Sequence, residues 1–388
     1  MRVAPPPWPP QNGAARAVAL EVLINGPLSR SELARRLDLS QGSLTRLSTP
    51  LIDSGLLFEG DKQPTGRSGP RTRPLDIVAD SRHFVGIKLT GGHALGVVTD
   101  LRANVYATGE AALGSRTPDV VADVVAKLAL DLSEEVPAVT ALGVGVGALV
   151  RDYTTVASAP FLDWSDVALG PMLEQRTGLP TVIENDLVAY TESEHWFGAG
   201  RGLDRFAVVT IGAGVGYGAV IHGRVLVGDD SGVGLVGHWP LDPLGPICPA
   251  GHRGCADSLL TMPAITKSVA SALDQPLDYD DSLDLAAAGN PAARRIVEDA
   301  GVGLGRLVAA IANLTVPQKV ILGGEGVRLA HVASEAISAG LRLDRDPRAS
   351  EIRIEINDAG SIQWCRGAAV IAIQTFVLGA HPSPAASG

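Results

Sequence analysis

Two rhythms of apolar residues divide the chain. In residues 14–24, Ala17, Val18, Leu20, Val22 and Leu23 give a mostly apolar helix that Asn25-Gly26-Pro27 ends. Ser29-Arg30-Ser31-Glu32 has capping-box spacing, the Ser accepting from a backbone N–H while the Glu reaches back. It opens a helix through Leu33 and Leu37. After the turn Asp38-Leu39-Ser40, Ser40 caps a third helix to about Ser54, and Gly55 supplies the left-handed residue that stops it. Residues 56–59 read as a strand and 60–74 as a polar loop rich in Gly and Pro. The Pro run at 5–10 suits neither helix nor central strand and reads as an arm.

Beyond Asp80 the rhythm becomes that of an α/β protein. Residues 84–89 and 94–98 flank Thr90-Gly91-Gly92-His93 as a hairpin. A helix follows at 118–132, a strand at 141–146, a loop to Trp164, a helix near 167–177, a strand at 181–183 and a helix at 186–197. Then come a strand at 205–211, a glycine turn at 212–218 and a strand at 219–221. Helices are expected at 260–272, 291–313 and 326–341, a strand at 319–322 and a closing helix near 366–377. A hairpin with a glycine-bearing turn occurs twice, at 84–98 and 206–226, which suits a duplicated, two-lobed fold.

Three short helices, a strand and a basic loop are the order of a winged helix-turn-helix. The third helix offers Gln41, Ser43, Thr45 and Arg46 to base edges or phosphates, and the loop adds Arg67, Arg71 and Arg73, with Leu44 and Leu47 facing inward. A plain three-helix bundle with arginines on its solvated face is the other reading. Charge favours the first. Residues 1–75 carry ten Lys and Arg against six Asp and Glu, a net +4, so the remainder carries −14 of the chain's total of −10. A small basic module attached to a large acidic body suits a double-stranded DNA operator as partner.

Composition closes off other classes. With 46% apolar and 19% charged residues among 388, the chain can bury a large core and is not a disordered one. The longest apolar stretches, 141–150 and 367–380, fall short of the roughly 20 residues a membrane span needs. No signal-peptide pattern opens the sequence, and three cysteines make no disulfide framework, so a cytoplasmic, reducing setting is expected.

Several segments together carry more chemistry than any glycine turn. They are Glu184-Asn185-Asp186, His195-Trp196-Phe197-Gly198-Ala199-Gly200-Arg201-Gly202, Gly237-His238, the Cys248–Asp257 stretch, and Pro317 with Val320-Ile321-Leu322-Gly323-Gly324. In these the chain resembles the ROK family of sugar kinases and repressors, over nearly its whole length. The resemblance implies an α/β, two-lobed, actin-like body of sugar-kinase type behind the winged helix-turn-helix. It also implies an effector bound between lobes, and homodimers or homotetramers. The expected division is an arm at 1–13, the DNA-binding domain at 14–78, the ROK domain at 79–380 and a tail at 381–388. Within the ROK domain, a small lobe takes about 79–190 and the last helix, and a large lobe about 191–360.

The departures from the family separate repressor from kinase. Where family kinases carry Asp in the first phosphate strand, this chain has Lys88, before Thr90-Gly91-Gly92-His93. A carboxylate can hold magnesium or its waters, and an ammonium cannot, though it can meet a phosphate directly. The second phosphate motif, Gly-Thr-Gly in the family, reads Gly212-Ala213-Gly214 and lacks the hydroxyl. No ATP use is therefore expected, and the rival reading is an active sugar kinase with a regulatory DNA-binding domain. Asp186 matches the family's catalytic base and is expected, with Asn185, to contact ligand; the alternative role for Asp186 is a helix cap. Phe161 and Leu235 replace an amide and a carboxylate among the sugar contacts, while His238 and Asp257 complete the set. These changes leave as effector a modified or less polar sugar, another small molecule, or none. His238, Cys248 and Cys255 match the family's zinc ligands, but Ala250 replaces the remaining Cys. Zinc prefers four ligands, and His252 in the same loop can supply one; buried packing is the other role for the cysteines.

Overall fold

A computed structural model describes residues 13–64 and 71–379; Arg67 and the 381–388 tail lie outside the described residues, as does nearly all of the expected arm. The chain divides into two compact units. One runs to Phe197 and resumes at Trp364; the other is Gly198–Gln363.

The first unit opens with α1 (Gly13–Asn25), α2 (Arg30–Arg36) and α3 (Gln41–Asp53), then β1 (Leu57–Glu59), β2 (Gln63–Pro64), β3 (Arg71–Thr72) and β4 (Leu75–Ile77). Ser29 and Glu32 close the capping box at α2, Ser40 accepts from the Ser43 N–H at α3, and Gly55 takes φ +76°. The expected loop 60–74 instead contains the antiparallel pair β2–β3, while β4 returns to pair with β1. This is the wing.

Next come β5 (His83–Leu89), β6 (His93–Thr99), β7 (Val105–Ala112), α4 (Pro118–Ser133), β8 (Val139–Val146), β9 (Leu149–Arg151), β10 (Thr155–Ala159) and β11 (Trp164–Val167). After α5 (Leu169–Thr177), β12 (Thr181–Asn185) and α6 (Asp186–Phe197), the chain passes through the second unit and returns in α13, defined below. The main sheet has the order β12-β8-β5-β6-β7. The stretch expected as a loop to Trp164 is a small sheet, β11-β10-β9. Its turns use Asp152, Tyr153 and Asp163 at φ of 54°, 55° and 60°, left-handed positions that no Gly marked in the sequence. The unit extends past the expected boundary near 190 because α6 packs on β8 and β12.

The second unit holds β13 (Arg205–Ile211), β14 (Val215–Ile221), β15 (Arg224–Val225), α7 (Ala256–Leu260), α8 (Met262–Leu273), α9 (Tyr279–Ala287) and α10 (Pro291–Thr315), then β16 (Val320–Gly323), α11 (Arg328–Val332), α12 (Ser334–Leu343) and β17 (Ile354–Ile356). The glycine turn is only Gly212–Gly214; Val215 to Gly218 already belong to β14. Sheet order is β15-β14-β13-β16-β17. In both units an antiparallel three-strand meander is extended by two parallel strands on its first strand, so one topology occurs twice.

Helix α13 (Gly360–Leu378) closes the chain. It is the one helix among the described residues long and apolar enough to cross a membrane, and 72% of its apolar window is buried inside the fold. Strand β5 shows how it is seated. Val85, Ile87 and Leu89 enter the core shared with α4, while Phe84 joins the cluster shared with α13 and Gly86 faces α13 directly. A Cβ on Gly86 would stand 2.1 Å from the Cys365 carbonyl oxygen, and one on Gly143 of β8 2.0 Å from that of Ala368. The helix backbone rests on the strands with no room for a side chain.

The far half of α13 shares one apolar cluster with the DNA-binding module: Val18, Ala19, Val22 and Leu23 of α1 belong to it with Val370, Ile373, Val377 and Leu378. Arg102, in the β6–β7 turn, reaches the α1 C-terminus, where Nε donates to the Leu23 carbonyl at 3.3 Å and Nη2 to that of Val22 at 3.3 Å. The same guanidinium pairs with Asp76 in β4. A cation closing helix carbonyls is favoured by the helix dipole as well.

Gly143→Ala is expected to destabilise the protein by about 2 kcal/mol or more, the scale of forced overpacking. Gly114→Ala, with nothing within 4 Å of the added carbon, is the control. Urea denaturation of both variants reads the difference.

Candidate functional site

The side chains expected to face DNA start from α3. Gln41 and Arg46 are exposed, and their side chains bond no other described residue. Thr45 is exposed too, but its hydroxyl donates to the Gln41 carbonyl at 3.0 Å, and the Ser43 hydroxyl accepts from Ser40 at 3.0 Å. Leu44 is buried and Leu47 packs against the same core, as their spacing required. In the wing Arg73 lies 3.6 Å from Glu59, which also holds Arg30 at 2.6 Å. Arg71 is in β3; its side chain is outside the described set, with Arg67.

Within the first unit, Lys88 ends the face of β5 that α13 covers. It is nine-tenths buried and paired with Asp186, the first residue of α6. On its other side the Trp364 ring lies 4.4 Å from Nζ, and Tyr190 tilts against that ring at 4.7 Å. The helix cap falls to Asn185 rather than to Asp186. Asn185 Oδ1 accepts from the Leu187 and Val188 N–H groups at 3.0 and 3.1 Å, and Nδ2 donates to the Ala148 carbonyl at 3.1 Å. Expected as a ligand contact, Asn185 is buried and its oxygen is already engaged within the fold. Phe161, 54% exposed, stands near Asp186 across Gly147.

Behind this pair lie carboxyls that the sequence pattern did not single out. Burial pushes Glu184 up to about 7 against a hydrogen bond from the Asn185 N–H. Burial likewise pushes Glu192 up to about 7, opposed by hydrogen bonds with Trp196 and Gln374 and aided by the charge of Glu184. Gln374 of α13 donates to Glu192 at 3.1 Å. Burial also lowers His195 to about 4 and raises the Cys365 thiol to about 12, which leaves that cysteine a packing residue.

In the second unit, Gly212–Gly214 turns between β13 and β14. The Glu325 carboxylate faces it: a Cβ on Gly212 would stand 2.6 Å from Glu325 Oε2. An anion would meet like charge there, beside the missing hydroxyl at Ala213. Glu325 was legible only as part of a glycine-rich turn.

The same unit gathers His238, Cys248, His252 and Cys255. Cys248 Sγ lies 3.8 Å from His238 Nδ1 and 3.7 Å from His252 Nδ1, and Cys255 Sγ lies 3.8 Å from His238 Nδ1. His238, Cys248 and His252 each offer a ligand atom within 4.8 Å of the others, a site able to hold a metal ion. Burial raises the Cys248 thiol, but hydrogen bonds from His252, Ala250 and Cys255 outweigh it and bring it down to about 7. The loop closes tightly through Cys248 N–H to the His252 carbonyl at 2.9 Å, which brings His252 beside Cys248 where Ala250 cannot serve. Asp257 approaches His238 at 3.8 Å, whereas Leu235 is 71% exposed on its loop.

The ROK family model matches residues 84–375. The DNA-binding transcriptional repressor Mlc of Escherichia coli strain K12 is 27% identical over 362 residues, 89% of this chain and 89% of its own. The N-acetylglucosamine repressor of Escherichia coli O157:H7 is 28% identical over 316 residues, 77% of each. A glucokinase of Thermotoga maritima is 36% identical over 222 residues, 52% of this chain and 68% of its own. A solved ROK family transcriptional regulator, described as a homolog of the E. coli Mlc protein, matches the fold with a TM-score of 0.79. It is 24% identical and covers 94% of this chain and 96% of that one.

The raised carboxyls carry a pH signature. The folded protein keeps Glu192 protonated up to about 7 while the unfolded chain releases that proton near 4.5, so its share of stability is full below 4.5 and lost as pH rises through 7. His195, lowered to about 4, acts with the opposite sign in wild type and variant alike. Glu192→Gln is therefore expected to melt close to wild type at pH 4.5 and several degrees above it at pH 8, measured by calorimetry.

Proposed function

This chain belongs to the ROK family, and on that premise we propose that it is a sequence-specific transcriptional regulator, a repressor, whose ROK body senses a sugar-type effector. The single observation that carries the reading is the basic winged helix-turn-helix seated on a ROK body in which Lys88 engages the base position, Asp186. Relatives that match most of this chain are a DNA-binding repressor and a repressor named for a sugar. Gln41, Ser43, Thr45 and Arg46 then enter the major groove, with Arg67, Arg71 and Arg73 on phosphates. A symmetric dimer, or a tetramer of such dimers, would read an inverted repeat with half-sites about one or two helical turns apart. A cytoplasmic location belongs to the same reading.

The kinase relative keeps a second reading in view. Phosphoryl transfer needs a base able to take the hydroxyl proton and a metal-held phosphate chain. Here an ammonium engages the base position and a carboxylate faces the second phosphate turn. We infer that the protein does not transfer phosphate and uses no ATP. Footprinting of genomic fragments, with ATP turnover over a hexose panel in parallel, tests both statements. A protected inverted repeat and background turnover are expected. Arg46→Ala should weaken operator binding and shallow its salt dependence by about one counterion for each phosphate that is no longer neutralised.

The metal cluster fits zinc. Tetrahedral zinc with Zn–S about 2.3 Å and Zn–N about 2.0 Å sets nitrogen and sulfur donors about 3.6 Å apart, close to the separations found. His238, Cys248 and Cys255 would hold the ion with His252 as fourth ligand. Its contribution would be structural, cross-linking the 238–255 loop that leads into α7, which carries Asp257. Elemental analysis of protein purified without chelator should give about one zinc per chain, and Cys248→Ser should lose the metal and melt lower. Zinc-free wild type, with stability unchanged in the variant, would return both cysteines to packing.

A further inference from the structure

We propose that Glu59 is a positioning residue for DNA, holding Arg30 and Arg73 together as a phosphate clamp at the base of the wing. The inference rests on the regulator reading above and adds to it a contact, Arg30, that neither the third helix nor the wing loop supplies.

The backbone sets the three side chains side by side. Leu75 of β4 stands opposite Glu59 of β1. On its other edge Leu75 exchanges both backbone bonds with Leu28, at 3.0 and 2.8 Å. Arg30 lies two residues after Leu28, and Arg73 two residues before Leu75. The Gly60 N–H donates to the Pro74 carbonyl at 2.8 Å and ties the returning wing to β1. Within this frame the Glu59 carboxylate gives one oxygen to each arginine. Oε1 accepts from Arg30 Nη2 at 2.6 Å, and Oε2 lies 3.6 Å from Arg73 Nη1. The hydrogen bond from Arg30, more than any other influence, holds the carboxyl below its ordinary range, so it is ionised near neutrality.

Stability does not explain the arrangement. A solvent-exposed ion pair adds little to it. The module's other described pairs, Arg36 with Glu21 and Asp76 with Arg102, join one arginine to one carboxylate. Here two cations share one anion, and one positive charge is left over. Arg30 uses one of its five N–H donors on Glu59, and Arg73 stays 54% exposed. Arg30 also opens α2, the helix that crosses the phosphate backbone in this motif. The planar forks of both arginines match phosphate oxygens. Successive phosphates of one strand recur about every 3.4 Å along the axis, so arginines sharing a carboxylate can reach neighbours. Two long side chains already restrained by Glu59 lose less freedom on meeting DNA.

The sign of one substitution separates this proposal from plain electrostatics. Loss of an anion at a DNA surface tightens binding, whereas loss of a positioning residue weakens it. The measurement is fluorescence anisotropy of the intact protein, over a salt series, on the fragment protected in footprinting and on a random duplex of equal length. Glu59→Gln is expected to melt close to wild type, to bind the protected fragment about fivefold more weakly and to shallow its salt dependence by about one counterion. Glu21→Gln removes the same charge and an equivalent pair and should not weaken binding. With Arg30→Ala and Arg73→Ala already in place, Glu59→Gln should weaken binding no further, read at low salt. Arg30→Ala alone, an independent check should Glu59→Gln fold poorly, is expected to shallow the slope to the same degree. Binding by Glu59→Gln as tight as wild type, a weakening that persists in the double-arginine background, or an unchanged slope in Arg30→Ala overturns the clamp and leaves the regulator reading standing. Wild-type protein that protects no fragment and binds random duplex without salt dependence overturns both.

Discussion

The constraint on which the first unit depends is the absence of two side chains. At Gly86 and Gly143 the sheet lets the α13 backbone come to rest on it, and any Cβ there would meet a carbonyl oxygen. That seat fixes the helix along its length. Near its start Trp364 comes against Lys88, and near its end Val377 and Leu378 share a cluster with α1 of the DNA-binding module. The Lys88–Asp186 pair and the N-terminal helices are thus ordered by one element of 19 residues, about 28 Å long.

How much of this was legible in the sequence depended on whether a signal was local. The capping box at Ser29 and Glu32, the cap at Ser40 and the Gly55 stop are decided within a few residues, and all were readable. The small sheet β9–β11 was not, because Asp152, Tyr153 and Asp163 turn in left-handed conformations without glycine. Helix α9 was also missed, although Asp278 and Asp281 form a capping box that could have announced it. The site followed the same rule. Lys88, Asp186 and the His238–Cys255 cluster stood out as departures from or matches to a family pattern. Trp364 beside Lys88 and Glu325 beside the glycine turn did not, since only tertiary structure brings them there.

The two units share a strand topology yet have diverged at their phosphate turns by opposite charges. In the first, the Lys88 ammonium pairs with Asp186; in the second, the Glu325 carboxylate overlooks the glycine turn. The carboxylate would repel a nucleotide's phosphates. The two units keep the same strand topology despite this difference.

Arg102 has a consequence for how such proteins can be recombined. The last carbonyls of α1 are closed by a side chain from the β6–β7 turn, and the same guanidinium grips Asp76 of the wing strand. The DNA-reading segment is therefore not a bead on a string. Cut after residue 78, it would lose the cap of its first helix and part of its apolar floor at one stroke. A hybrid regulator that borrows another reading head must take as its unit of exchange the head together with the turn at Arg102 and the last turns of α13, a set of parts far apart along the chain but inseparable in the fold.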